Sequence, residues 1–187
     1  HRGGGRSGRG AGGGGVCRVK GMKRVIVIGC PGAGKSVFAK ALAAATGLPL
    51  VHLDNIWHKA DKTTASKEEF DARLGGIIEG EEWILDGNYN RTLERRLDAC
   101  DAVFLFDLPT QVCLEGARAR IGRRRDDLPW VEEELDPEFE QWIKDFRADQ
   151  LPGTKQLLER YRGKREIHVF RTRKEADEFI AKMTPRG

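Results

Sequence analysis

Residues 29–36, Gly-Cys-Pro-Gly-Ala-Gly-Lys-Ser, match the spacing G-x-x-x-x-G-K-[ST] at every fixed position and follow a β-branched run at 25–28. Glycines at these positions let backbone N–H groups approach an anion closely. The lysine supplies a point charge for β- and γ-phosphates, and the serine hydroxyl supplies an oxygen ligand for Mg²⁺. The spacing therefore predicts a nucleotide phosphate-binding loop, which ends at a helix whose N-terminal dipole favours the anion.

The predicted nucleotide contacts fall in two parts of the sequence. Arg171 and Arg173 follow the last predicted strand, where they would pack on the nucleotide base. The predicted contacts in the loop are Gly29, Pro31, Gly32, Ala33, Gly34, Lys35, Ser36 and Val37.

Acidic residues follow three of the predicted strands, at Asp54, Asp86 and Asp107. Ligands of open parallel sheets bind beyond the carboxyl ends of the strands, and an acid there can hold Mg²⁺ directly or through water. Each acid has an alternative interpretation as a helix cap or turn residue. We expect Asp86, together with Ser36, to bind Mg²⁺, and Asp54 to lie on the substrate side.

The segment after Asp86 predicts further substrate contacts. Gly87 permits a tight exit from the strand, and the rings of Trp57 and Tyr89 are suited to stack on a flat substrate. Arginines 91, 95 and 96 follow, and one that faces the site would hold a second phosphate bidentately, while at least one would be a solvated surface charge. The predicted substrate residues are Asp54, Trp57, Gly87, Tyr89, Arg91 and Arg96.

Five arginines occupy positions 118, 120, 123, 124 and 125. They would form a solvated helix face, a basic nucleic-acid patch, or the lid of a phosphotransferase that neutralises charge in the transition state. In the lid interpretation Arg118 and Arg123 act in catalysis together with Lys35 and Asp86. No Ser/His/Asp or Cys/His arrangement points to a covalent nucleophile, and we expect His52, His58 and His168 to be structural.

Strand and helix patterns alternate from residue 23 onward, which is typical of a parallel α/β sheet. Capping boxes at 66–69 and 172–175 each begin a helix, and Asp136-Pro137 begins another that extends to about residue 149. Residues 123–136 have mixed charge and little apolar periodicity, which predicts an exposed, mobile segment. Strands are predicted at 24–28, 50–53, 82–86, 101–107 and 165–170.

The formal charge of +4 comes from the N-terminal segment. Residues 1–21 contain five of the 33 basic residues and no acid, which leaves 28 basic against 29 acidic residues in 22–187. The Gly/Arg-rich composition predicts a disordered tail, either a nucleic-acid-binding arm or a non-native extension before Met22. No signal peptide, membrane span or Cys/His metal cluster is recognisable. We therefore expect a cytoplasmic protein, with residues 22–187 forming one domain and a lid at about 123–150.

Several motifs resemble those of the nucleoside-monophosphate kinases, with adenylate kinase as the model. These motifs are the phosphate loop, Trp-Ile-Leu-Asp-Gly at 83–87 and Phe-Asp-Leu-Pro at 106–109. With His-Leu-Asp at 52–54, Trp57 and Asp-Gly-Asn-Tyr at 86–89, residues 22–183 resemble the adenylate-kinase-like DNA topology modulation proteins. The resemblance implies a three-layer α/β/α P-loop fold, a five-stranded parallel sheet in order 2-3-1-4-5, a lid, ATP binding and kinase activity. Asn-Tyr at 88–89 departs from the Phe-Pro of adenylate kinase, which argues against AMP as the acceptor.

These patterns together predict an ATP- and Mg²⁺-binding phosphotransferase that acts on an unidentified small acceptor, as a monomer or small homo-oligomer. Two alternatives remain open at this point. One is a nucleic-acid-associated regulatory ATPase acting on DNA, which the near-neutral charge of 22–187 does not favour. The other is a nucleotide-binding module without turnover.

Overall fold

The computed structural model describes residues 21–183. The Gly/Arg-rich segment 1–20, with the two interpretations given for it, and residues 184–187 lie outside the described residues. Within 21–183, every helix is too short or too polar to cross a membrane.

Five strands and eight α-helices follow one another in the described part of the chain. The strands are β1 (Arg24–Gly29), β2 (Leu50–His52), β3 (Trp83–Asp86), β4 (Ala102–Phe106) and β5 (Glu166–Phe170). The helices are α1 (Lys35–Thr46), α2 (Leu53–Trp57), α3 (Lys67–Ile78), α4 (Leu93–Ala99), α5 (Thr110–Ala119), α6 (Pro137–Asp149), α7 (Leu151–Glu159) and α8 (Arg173–Met183).

All five strands pair in parallel, in the order β2-β3-β1-β4-β5. This confirms the predicted fold class and strand order. Apart from Arg24 at the start of β1, strands β1 and β4 are apolar and buried on both faces, because helices cover each side of the sheet. The carboxyl ends of β1, β2 and β3 therefore lie at the same edge of the sheet, where the polar residues that follow them converge.

The predicted helix caps are present. The Ser66 hydroxyl accepts a hydrogen bond from the Glu69 amide, and the Asp136 carboxylate accepts one from the Glu138 amide ahead of the proline at the start of α6. The Thr172 hydroxyl accepts from the Glu175 amide at the start of α8. These local bonds fix where α3, α6 and α8 begin, and so determine how the helices return to the sheet.

One hydrophobic core holds α1 and α8 against the sheet. The Phe38 ring of α1 lies 5.0 Å from that of Phe104, 5.4 Å from that of Phe106 and 5.2 Å from that of Phe170, centroid to centroid. Such tilted and edge-on contacts are the favoured geometry of packed aromatic rings. Because Phe38 lies one turn into α1, this cluster also anchors the helix that continues from the phosphate loop.

Candidate active site

The phosphate loop has the backbone that its glycines predict. Gly32 has φ +83°, and a β-carbon there would lie 2.0 Å from the carbonyl oxygen of Cys113 on α5, so only glycine fits. Gly34, with φ +99°, is the residue before α1 begins. Two side chains brace the loop from outside: Asn88 bonds both the amide and the carbonyl of Gly29, and Arg173 Nη2 donates to the Gly32 carbonyl at 2.9 Å.

Asp86 and Ser36 meet at the mouth of this loop. The Ser36 hydroxyl donates to Asp86 Oδ2 at 2.9 Å, and Asp86 is buried at the end of β3. The strand register aligns Val27 of β1 with Asp86, which places this carboxylate beside the strand that leads into the loop. The structure thus brings together the two residues that the sequence assigned to Mg²⁺.

His52 is a member of this cluster that sequence reasoning assigned a structural role. It pairs in register with Asp86 across β2 and β3, and its Nδ1 lies 2.7 Å from Asp86 Oδ2. Burial alone would lower the pKa of His52, but the bond and charge of Asp86, with the charges of Asp127 and Asp126, raise it above its ordinary value. The position of His52 in the sequence could have indicated this contact. His52 and Asp86 are the last residues of two strands, and the predicted strand order makes these strands neighbours.

The donor set at Ser36 and Asp86 fits Mg²⁺. Both donors are oxygens, and adjacent oxygen ligands of an octahedral Mg²⁺ lie about 2.9 Å apart because its bonds are about 2.1 Å long, which is the separation of these two atoms. Among residues 21–183 no group of three or more His, Cys, Asp or Glu side chains is arranged to hold a metal. A few protein oxygens supplemented by phosphate and water is the usual environment of Mg²⁺.

An open cleft of about 1480 Å³ extends from the phosphate loop along the carboxyl edge of the sheet. It joins most of the predicted site residues but leaves out six of them. Those that line it are Pro31, Gly32, Ala33, Gly34, Lys35, Ser36, Val37, Asp54, Asp86, Gly87, Tyr89, Arg123 and Arg173. Those that do not are Gly29, Trp57, Arg91, Arg96, Arg118 and Arg171.

Asp54 and Tyr89 line the same cleft. The Tyr89 hydroxyl donates to Asp54 Oδ1 at 2.6 Å, and burial together with the Asp54 charge raises the pKa of Tyr89. Asn90 donates to the Gln150 side chain at 2.8 Å on the same side. This part of the cleft thus combines a carboxylate with neutral hydrogen-bonding groups.

Arg96 lies beneath the cleft rather than in it. It has no exposed surface, and its guanidinium donates to the carbonyls of Gly87, Asn88 and Tyr89 and to the Thr92 hydroxyl. Burial lowers the pKa of Arg96 to about 10. Its donors are directed at the backbone of the loop after β3, so this position does not fit the substrate contact expected from the sequence.

Arg91 and Trp57 also face away from the cleft. Arg91 forms two hydrogen bonds with Asp71 of α3, at 2.9 and 2.8 Å. The Trp57 ring packs on Phe70 and Tyr89, with centroids 6.0 and 6.2 Å apart. These side chains border a separate cavity of about 130 Å³ rather than the large one.

In α5 and the turn that follows, Arg120 rather than Arg118 faces the cleft. Gly116 packs against the Gly32 carbonyl so closely that a β-carbon there would lie 2.0 Å from the oxygen, and Arg120 follows one helical turn later on the same face. Arg118 instead pairs with Glu140 of α6 at 2.8 Å. Burial and the charge of Arg125 lower the pKa of Arg120, and its Nε is buried without a hydrogen-bond partner among the described residues.

Residues 122–132, here termed the lid loop, fold onto the phosphate site. The expectation of an exposed segment is wrong for two of its residues, because Asp127 is buried and Arg125 is largely so. Arg125 donates to both carboxylate oxygens of Asp127, at 2.9 and 2.8 Å, and pairs with Glu132. Burial would raise the pKa of Asp127, but the bonds and charge of Arg125 and the charge of Arg120 lower it to about 2. The loop has no apolar periodicity, so the sequence predicted an exposed segment. Charge pairing within the loop is what buries these two residues.

Asp107, the third acid predicted at a strand end, is buried beside the N-terminus of α5. It pairs with Lys155 of α7 at 2.7 Å and with Arg147 of α6 at 3.2 Å. It is not part of the lining of the large cleft. Asp107 is neither a helix cap nor a turn residue, the alternative given for it, and instead ties β4 to two helices.

Comparisons with known proteins agree on a P-loop kinase fold. No protein-family model matches the chain. Over 88 residues, 46% of the chain, it is 31% identical to the adenylate kinase of Thermotoga petrophila, and over the same length 30% identical to that of Thermotoga neapolitana. The chain spans 39% of the length of these curated relatives.

Two solved structures share the fold. The shikimate kinase from Acinetobacter baumannii, in complex with shikimate, superposes with a TM-score of 0.60 and 15% identity over 89% of this chain and 93% of that one. A gluconokinase from Sinorhizobium meliloti 1021 superposes with a TM-score of 0.50 and 14% identity over 86% and 89% of the two chains. At these identities the likeness shows the fold alone. No finding bears on the resemblance to the DNA topology modulation proteins, which stays a prediction.

Proposed function

We propose that the chain is an ATP-dependent kinase that transfers the γ-phosphoryl group to a hydroxyl of a small molecule. One observation carries the proposal: a single cleft contains the phosphate loop, the Ser36–Asp86 pair and the Asp54 carboxylate. Phosphoryl transfer requires mainly positioning and charge neutralisation, and both are available in this arrangement. Residues 22–187 would form one kinase-like domain with a lid at about 123–150, acting as a monomer or small homo-oligomer.

The residues at the phosphate site have distinct roles in this proposal. Lys35 and the loop amides bind the β- and γ-phosphates, and Ser36 with Asp86 would hold Mg²⁺, which supplies positive charge to the phosphate oxygens when bound. His52 holds the Asp86 carboxylate in place. Arg120, with its buried unpartnered Nε, is available to charge that develops on the transferred group.

Asp54 is the proposed acceptor of the substrate's hydroxyl proton. It lies in the cleft as a carboxylate with only one oxygen bonded to Tyr89 in the described structure. A carboxylate within reach of a hydroxyl can orient it and take its proton as transfer proceeds. The local identity to adenylate kinases and the folds of shikimate kinase and gluconokinase support a small-molecule kinase.

The nucleic-acid-associated ATPase, including an action on DNA topology, receives less support from the geometry. Its bases in the sequence were the Gly/Arg-rich tail, which lies outside the described residues, the resemblance to the DNA topology modulation proteins, and the arginine-rich stretch at 118–125. Arg120 and Arg125 of that stretch are directed into the cleft, and Arg125 is neutralised by Asp127 and Glu132. An arginine paired with acids releases few counterions from DNA, so these residues fit phosphate chemistry in a cleft better than duplex binding.

Calorimetry of ATP binding tests the first half of the proposal. Lys35→Ala should weaken Mg²⁺·ATP binding at least about tenfold, about 1.4 kcal/mol, because the β/γ-phosphates lose their point charge. Lys182→Ala, which removes an exposed lysine of α8, is the matched control and should bind like the parent. Equal affinity in the Lys35→Ala variant and the parent would reject the assignment of the loop.

A panel of acceptors tests the second half. Sugars, polyols, hydroxy acids, nucleosides and nucleoside monophosphates are assayed for ATP-dependent phosphorylation by the parent and by Asp54→Asn. For the accepted compound, Asp54→Asn should lower kcat by about 10² or more while ATP affinity changes less than about threefold, since a general base acts on the chemical step. Tight ATP binding without transfer to any acceptor would instead favour the binding module without turnover.

A further inference from the structure

The lid loop is held shut over the phosphate site by contacts to two helices. Its ends meet where the Gly122 amide donates to the Glu132 carbonyl at 2.6 Å. Between them, Asp126 pairs with Lys40 of α1, and its carbonyl accepts a hydrogen bond from the Asn55 side chain of α2 at 2.7 Å. These contacts place the next residue, Asp127, directly above the start of α1.

Asp127 shares a hydroxyl with Asp86. Its Oδ2 lies 3.4 Å from the Ser36 hydroxyl, which already donates to Asp86 Oδ2 at 2.9 Å. A serine hydroxyl has one proton and cannot donate to both carboxylates at once. Two buried carboxylates therefore converge on one hydroxyl. Arg125 already pairs with Asp127, and a cation bound between the two carboxylates would interact favourably with both.

The oxygen positions suit the cation that the nucleotide brings. Adjacent ligands of octahedral Mg²⁺ lie about 2.9 Å apart, so a shift of about half an ångström would bring Asp127 Oδ2 to that distance from the Ser36 hydroxyl. Arg125 donates to both Asp127 oxygens, including the Oδ2 that faces Ser36, and so fixes the orientation of the carboxylate. Asp86 stays bonded to His52. The oxygens of Ser36, Asp86 and Asp127 are therefore held by α1, by the sheet and by the lid loop.

We propose that Asp127 is a metal ligand supplied by the lid loop, which joins Ser36 and Asp86 around the divalent cation of the bound nucleotide and so couples lid closure to metal binding. The inference rests on the proposed function for the presence of that cation. Because such coupling is reciprocal, the metal holds the lid closed to the same extent that the closed lid tightens the metal. An enzyme built in this way holds its lid closed more strongly over nucleotide that carries its metal.

The test uses the full chain, Mn²⁺ as the probe metal and a non-hydrolysable imido analogue of ATP. Free Mn²⁺ is measured by electron paramagnetic resonance as it is titrated into the protein–analogue complex. Asp127→Asn should weaken Mn²⁺ binding at least about tenfold, since a ligand carboxylate is replaced by a neutral amide. Affinity for the analogue in metal-free EDTA buffer should stay within about twofold of the parent.

Two matched variants separate this role from a merely structural one. Asp126→Asn removes the neighbouring lid carboxylate, which pairs with Lys40, and should leave Mn²⁺ affinity within about twofold. Arg125→Gln removes the group that directs Asp127 inward, and it should weaken Mn²⁺ binding less than Asp127→Asn does, because the ligand carboxylate remains. If Asp127 served only to orient Arg125, then Arg125→Gln and Asp127→Asn would weaken Mn²⁺ binding equally, and that result would overturn the proposal.

A second measurement does not depend on any variant's folding. In the parent, Mn²⁺ added to the analogue complex should slow amide hydrogen exchange in residues 122–132, and the absence of slowing would refute the coupling. A parent that binds neither analogue nor Mn²⁺ would remove the proposed function and this inference together. A parent that binds both tightly, with Asp127→Asn indistinguishable from it, would remove the inference alone.

Discussion

Two arginine-rich segments lie at the same edge of the sheet and are put to different uses. Residues 91–96 follow β3, and residues 118–125 follow α5. In the first segment the guanidinium groups turn to the protein, to Asp71 and to the backbone carbonyls of 87–89. In the second, positions 120, 123, 124 and 125 line the large cleft. The density of arginines is alike, so composition alone does not distinguish structure from function here.

The difference follows from what each guanidinium has available to bond. Arg96 lies on the buried face of α4 between Leu93 and Leu97, where the nearest acceptors are carbonyls that leave the end of a strand. The hydrogen bonds of the Arg96 guanidinium are therefore all made to groups within the fold. Arg120 follows a helix face of glycine and small residues that packs on the phosphate loop, and its Nε has no acceptor in the described part of the chain. An unpartnered buried donor is the feature that a phosphate oxygen would satisfy.

The largest effect should come from the arginine inside the fold. Arg96→Met keeps an unbranched apolar stem but leaves the carbonyls of Gly87, Asn88 and Tyr89 without their donor. We expect the free energy of unfolding in urea to fall by about 3 kcal/mol or more, as when a buried charged hydrogen-bond network is broken. Arg95→Met, next to it and exposed, should change it by less than about 0.5 kcal/mol. A loss below about 1 kcal/mol for Arg96→Met would show that the loop after β3 does not need this brace.

Arg120 should give the largest effect on catalysis with little effect on stability. Arg120→Ala is expected to lower kcat by about 10² to 10³, the scale of one preorganised donor, while Mg²⁺·ATP affinity changes only a few-fold. Arg118→Ala, which breaks an exposed pair with Glu140, is the matched control and should retain more than half of the parent's kcat. The reverse result, with Arg118 essential and Arg120 dispensable, would support the catalytic role that the sequence predicted for Arg118.

The sheet and the phosphate loop were predictable because their signals are local. Glycines that require positive φ and a β-branched strand fix the loop within eight residues, and caps such as Ser66 fix where helices begin. The meeting of Ser36 and Asp86 followed from the rule that ligands bind at the carboxyl edge of parallel strands.

The orientation of each arginine side chain was not predictable, because it depends on a bonding partner that is distant in sequence. Arg91 is bonded to Asp71, twenty residues earlier, and Arg118 to Glu140, twenty-two residues later. The burial of Asp127 depends on Arg125 and on contacts of the lid loop with α1 and α2, for which no periodic pattern exists. A segment ordered by charge pairs looks in sequence like a solvated one.

Arg123 tests whether position at the mouth of the cleft is enough for a catalytic role. Its side chain lines the cleft but is exposed, and an exposed charge loses much of its effect to water. The lid interpretation of the sequence gives about a 10² loss of turnover for Arg123→Ala, and the exposed position points to a smaller loss, about tenfold. Measuring the steady-state kcat of Arg123→Ala and of Arg120→Ala under the same conditions shows which of the two arginines contributes more to turnover. A loss equal to that of Arg120 would mean that the lid brings Arg123 inward during turnover.

The Arg91→Ala substitution should have the smallest effect on stability and activity. Its result is also the most informative about the chemistry of the acceptor. Its two bonds to Asp71 are exposed, so Arg91→Ala should shift the melting temperature by less than about 2 °C. Since these bonds direct the guanidinium away from the large cleft, KM for a hydroxyl acceptor should stay within about twofold of the parent. A tenfold rise in KM at unchanged kcat would show that Arg91 leaves Asp71 to bind an anionic group of the acceptor. The acceptor would then carry a phosphate or carboxylate that extends toward the 130 Å³ cavity beside Trp57 and Tyr89, and the acceptor end of the site would have to be redrawn to include it.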